Sequence, residues 1–109
     1  MPKTITPVAR DAARALGAQV VAARRRRRWT AERVAEQAGI SFRTLQKVER
    51  GDPSVALGTA FDVAVIVGVP LFTAHPSELS ILADHLADRA ALLGLRVVPI
   101  NDDDLDDNF

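Results

Sequence analysis

The feature that most limits what this chain can become is the spacing of its helix starts and stops between residues 30 and 51. Thr30 and Ser41 are N-cap residues, whose hydroxyl oxygens satisfy the free N–H groups of a first helical turn. Gly39 and Gly51 stand where a helix can leave through a left-handed residue. This punctuation predicts one helix over residues 31–38, a second over residues 42–50, and a tight turn between them. Helices so short are unstable alone, so each must bury an apolar face against the other and against further helices. Val34, Ala35, Ala38, Ile40, Leu45 and Val48 are the set expected to lock the pair together, with Ala35 small where the two cross.

The same signals organise the rest of the chain as helices. Thr6 followed by Pro7 starts a helix over residues 8–27, with Leu16 and Val20 one turn apart and Ala12, Ala13 and Ala23 nearby. Its last turn is expected to carry the arginines of residues 24–28, where cations meet the negative end of the helix dipole. A fourth helix over residues 57–67 stops at Gly68, with Ala60, Val63, Ala64 and Val67 facing inward. Residues 55–72 hold one charge, Asp62, but Gly58, Gly68 and Pro70 interrupt them, which favours a buried helix over a membrane span. Ser77 caps a fifth helix over residues 78–93, which Gly94 is expected to end. Residues 95–100 read as a short strand-like segment confined to an edge by Pro99, and residues 101–109 as a disordered acidic tail.

Charge separates the two halves. The 14 Lys and Arg balance the 14 Asp and Glu. Residues 1–60 nevertheless hold twelve cations against five acids, and residues 61–109 two cations against nine. A basic half followed by an acidic one points to nucleic acid plus an acidic tail. With no cysteine, disulfides, thiol catalysis and cysteine-based metal sites are excluded. The first residues lack the long apolar run of a signal peptide, so a cytoplasmic location is expected. Catalysis finds little footing: His75 and His85 lie far apart, and Asp84, His85 and Asp88 read as a solvated helix face. No glycine-rich phosphate loop or nucleophile elbow occurs, so neither an enzyme, a cofactor nor a metal is expected.

Residues 30–51 form a helix-turn-helix pattern. Phe42, Arg43, Thr44, Gln46, Lys47 and Arg50 make up the exposed set of its second helix, and long donors of this kind reach base edges and phosphates in a major groove. Residues 16–72 resemble the Cro/CI (Xre) family of helix-turn-helix regulators through Arg24, Thr30, Gly39, Ser41, Glu49 and Gly51, with residues 63–69 matching the family's fourth helix and its exit. The resemblance implies an all-α, five-helix, lambda-repressor-like DNA-binding domain. It places the recognition positions on Phe42, Arg43, Thr44 and Lys47, with Ser41 near the DNA backbone; Gln46 and Thr30 are expected among the DNA-binding residues as well. It also implies an ion pair between Arg24 and Glu49. Where the family often carries a DNA-contacting Gln after the second helix's cap, this chain has Ala31, which points to the neighbouring arginines instead. Arg25, Arg26, Arg27 and Arg28 have no structural assignment and read as a phosphate clamp.

The resemblance further implies a homodimer on a palindromic operator, with half-sites about 34–36 Å apart. Phe61, Val65, Ile66, Leu71 and Phe72 exceed what a small core can absorb and are expected to line the dimer interface. The expected organisation is a DNA-binding domain over residues 1–72, a dimerisation or partner extension over 73–100, and the tail. Chain length and tail style resemble Hip-type antitoxins, which implies autorepression and a HipA-like kinase toxin held through Leu105 and Phe109. A stand-alone phage-type or chromosomal repressor, and an adaptor without sequence-specific DNA binding, are the alternatives.

Overall fold

Most helix boundaries in the first three-quarters of the chain are closed by a capping hydroxyl or a left-handed glycine. A computed structural model describes residues 4–96, and there the elements are α1 (Pro7–Arg26), α2 (Ala31–Ala38), α3 (Phe42–Arg50), α4 (Leu57–Val67), a 3-10 turn (Pro76–Glu78) and α5 (Leu79–Arg96). Thr6, Thr30 and Ser41 accept hydrogen bonds from the N–H groups of Ala9, Arg33 and Thr44 at 3.1, 3.1 and 3.0 Å. Gly39, Gly51 and Gly68 close α2, α3 and α4 in the left-handed conformation. The all-α expectation holds, with five helices and no strand among the described residues. None of these helices is long and apolar enough to cross a membrane.

Three boundaries differ from the sequence reading. α1 ends at Arg26, so Arg27 and Arg28 lie in the turn beyond it, and Arg28 takes a left-handed φ of 58°. Beyond α4 the chain turns through Phe72 and Thr73, both with φ of 56°. Ser77 falls inside the 3-10 turn, and α5 starts only at Leu79. Gly94 does not stop α5, which runs on to Arg96 and takes in the start of the segment read as strand-like. A glycine ends a helix only by turning left-handed, and Gly94 is not among the glycines that do so. The remainder of that segment and the acidic tail, with Leu105 and Phe109, lie outside the described residues.

The chain divides into two compact units, the boundary along the sequence falling between Pro76 and Ser77. The first holds α1 to α4 around a core of Val20, Ala23, Val34, Ala35, Leu45, Val48, Val63, Ala64, Val67 and Val69. Ala38 and Ile40, expected in the buried set, are half-buried against this core, as are Leu16 and Trp29. The second unit carries α5, on which Ile81, Leu86, Leu92 and Leu93 are exposed.

Small residues bring α1 against the end of α3. A methyl group on Gly17 would lie 2.6 Å from the carbonyl oxygens of both Val48 and Glu49. One on Gly51 would lie 2.5 Å from the Cα of Arg14. Just past Gly51, the Asp52 carboxylate accepts from the Ser54 N–H (2.9 Å) and hydroxyl (2.7 Å). The Ser54 N–H foremost, then its hydroxyl, with Lys47 and Arg50 nearby, holds that carboxyl below its ordinary pKa. Gly17→Ala is therefore expected to cost about 1–3 kcal/mol by forcing two backbones apart. Gly58→Ala, in α4 with nothing within 4 Å of the added carbon, is expected to gain about 0.4–1 kcal/mol. Urea denaturation midpoints of the two variants against the parent check both signs.

Candidate nucleic-acid interface

The recognition-helix candidate is held from behind and open in front. Leu45 and Val48 anchor α3 in the core. On its other side Arg43, Gln46 and Arg50 are exposed, Phe42 keeps 42% of its surface, and Thr44 and Lys47 are half-buried. Neither Arg43 nor Gln46 has a side-chain hydrogen bond or ion pair among the described residues. Ser41 and Thr44 are engaged locally: the Ser41 hydroxyl donates to the Thr44 hydroxyl at 3.0 Å while capping α3. Thr30 likewise accepts from the Arg33 N–H as the cap of α2.

Arg24 and Glu49 meet as the family resemblance implied. Arg24 Nε and Nη2 donate to the two Glu49 carboxylate oxygens at 2.7 and 3.2 Å, a two-toothed pair whose side chains keep only 13% and 14% exposure. The third arm, Arg24 Nη1, donates to the Trp29 carbonyl at 3.0 Å. One guanidinium thus fastens the end of α1 to α3 and to the turn before α2. Such planar, forked donation is particular to arginine.

The other arginines of the run separate into two groups. Arg25, Arg26 and Arg28 are exposed, and none pairs with a carboxylate among the described residues. Arg27 packs over the Trp29 ring, its guanidinium carbon 5.5 Å from the ring centroid, and lies against Gly68 at the end of α4. Arg33 lies over the same ring at 4.8 Å. Arg33 was absent from the sequence-predicted site; the one signal pointing to it is an aromatic residue four positions earlier, where α2 begins.

The five residues expected at a dimer interface also divide. Ile66 and Leu71 are half-buried against the core, and so are partly absorbed by it. Val65 and Phe72 stay exposed at 41% and 69%, and Phe72 meets the half-buried Phe61 edge-to-face with ring centroids 6.0 Å apart. Among the described residues, no group of three or more His, Cys, Asp or Glu gathers to hold a metal.

The Arg24–Glu49 pair yields a direct test. Glu49→Gln leaves a largely enclosed guanidinium without its counter-charge, at an expected cost of about 3 kcal/mol, the low end for a broken buried pair because both side chains keep an edge in water. Chemical denaturation measures it, and a double-mutant cycle with Arg24→Gln should recover a coupling of the same sign.

The family model described as Helix-turn-helix matches residues 20–73. Searches of curated proteins and of solved structures returned no match. The matched span runs from the last third of α1 through α4 to the turn at Phe72 and Thr73, so this part of the chain is similar to the helix-turn-helix family.

Proposed function

We propose that this protein is a sequence-specific DNA-binding transcription regulator of the repressor kind. The observation that carries the reading is the face of α3: Arg43 and Gln46 are exposed, long, and free of partners among the described residues, on a helix otherwise rooted in the core. In this reading α3 enters the major groove, Arg43 and Lys47 contact guanine O6 and N7, and Gln46 contacts adenine. Phe42 offers an apolar surface to a thymine methyl. Ser41 and Thr30 lie near the sugar-phosphate backbone, and Arg25, Arg26 and Arg28 neutralise phosphates, setting affinity rather than sequence.

A gel shift on the DNA upstream of the gene tests this. Arg43→Ala and Lys47→Ala should each cost about 1–3 kcal/mol and relax discrimination at one base position. Arg25→Gln should weaken all sequences alike and lower the salt slope by about 0.9. Affinity for the upstream DNA equal to that for random DNA at the same salt would overturn the reading.

Two finer assignments belong to the same proposal. The exposed Val65 and Phe72, with Phe61 beneath, form an apolar patch suited to a second copy of the chain, with Ile66 and Leu71 at its base. The acidic residues 101–109, with Leu105 and Phe109 as apolar anchors, suit a basic protein partner; under the antitoxin reading this is a HipA-like kinase toxin. One purification of the tagged chain, expressed with its neighbouring genes, addresses both. A dimer mass by light scattering, reduced to a monomer by Phe72→Ser, is expected, together with a kinase that is lost when residues 102–109 are removed. A concentration-independent monomer sinks the first assignment, and kinase retention without the tail sinks the second.

A further inference from the structure

We infer that Arg27, Trp29 and Arg33 form a binding site for the phosphodiester backbone of duplex DNA, with the two guanidinium groups as ligands and Trp29 as their positioning residue. The inference rests on the DNA-binding reading and adds to it a site made at the turn between α1 and α2. Its first support is the gathering of two cations over one ring, at 5.5 and 4.8 Å from the centroid. The π face attracts each of them, yet they repel one another. Neither has a carboxylate partner among the described residues: Glu32 and Glu36 share α2 with Arg33, and neither pairs with it. A guanidinium lying on an aromatic face keeps its in-plane N–H groups available, and these suit phosphate oxygens.

The second support is how firmly Trp29 is placed, with its side chain packed against the core of the first unit. Its backbone N–H donates to the Arg24 carbonyl at 3.1 Å, and its backbone carbonyl accepts from Arg24 Nη1 at 3.0 Å. Arg24 in turn grips Glu49 on α3. The platform carrying Arg27 and Arg33 is therefore fixed relative to the base-reading helix through a single arginine. Phosphate contacts made there hold α3 in register with the groove, taking over the anchoring that Ala31 is too short to provide.

Salt titrations on a mixed-sequence duplex about three helical turns long test the site in the full chain. Arg27→Gln and Arg33→Gln should each lower the slope of log K against log salt by about 0.9. Arg14→Gln, which removes the same charge from an exposed pair with Asp11, should leave the slope unchanged. Trp29→Leu keeps every charge and should weaken binding about tenfold, while Trp29→Phe, which keeps a π face, should stay within about threefold of the parent. Trp29 is the chain's single tryptophan, so its emission should shift as DNA is added. Should Trp29→Leu fail to fold, the arginine variants and the emission change still decide. An unchanged slope in Arg33→Gln, with a lowered slope in Arg25→Gln, overturns this site while leaving DNA binding intact. An equal fall in Arg14→Gln overturns it as a general charge effect. A parent chain that binds no DNA overturns both readings.

Discussion

A single guanidinium organises this domain. Arg24 spends its Nε and Nη2 on Glu49 and its Nη1 on the Trp29 carbonyl, so three pieces of chain that share no secondary structure become one rigid corner. Taking such a group largely out of water is costly unless its donors are met, and here donors on every nitrogen find oxygens. Everything placed for function hangs from that corner: α3 through Glu49, and the turn into α2 through Trp29.

The corner works because the backbones around it come unusually close. Gly17 lets α1 touch the last carbonyls of α3, and Gly51 turns the chain away against Arg14 without a side chain in the way. Valine and alanine then fill the space between α1, α2, α3 and α4. Packing of this kind sets α3 by contact on its rear side alone, leaving its front edge to polar side chains. Rigid support behind and long donors in front are what a base-reading helix requires.

How much of this was legible in the sequence follows from the range of each interaction. The caps at Thr6, Thr30 and Ser41 and the exits at Gly39, Gly51 and Gly68 act over three or four residues, and local chemistry was enough to place them. Gly94 misled because the same residue type serves a helix interior as well as a helix end, and only the backbone angle tells them apart. The meeting of Arg24 with Glu49, 25 residues apart, was legible only through family resemblance. Trp29 gathering Arg27 and Arg33 was not legible, since the sequence treats Arg25 to Arg28 alike as a phosphate clamp, and only the stop of α1 at Arg26 sets Arg27 apart. Ile66 and Leu71 were expected outside the core because the room that α1 and α2 leave beside α4 cannot be counted from one strand of text.

The modest size of the buried side chains gives the domain a one-sided tolerance. Leu45 is the largest that is fully enclosed, followed by Val20, Val34, Val63 and Val67. Trimming a valine to alanine removes two methyl groups, roughly 1.6 kcal/mol of transfer free energy at about 0.8 kcal/mol each, with a further cost for the cavity left behind. Enlarging one has no slack to use, because alanine and glycine already mark where neighbouring helices touch. At these positions random mutation should thus be filtered more by added bulk than by the loss of a methyl group.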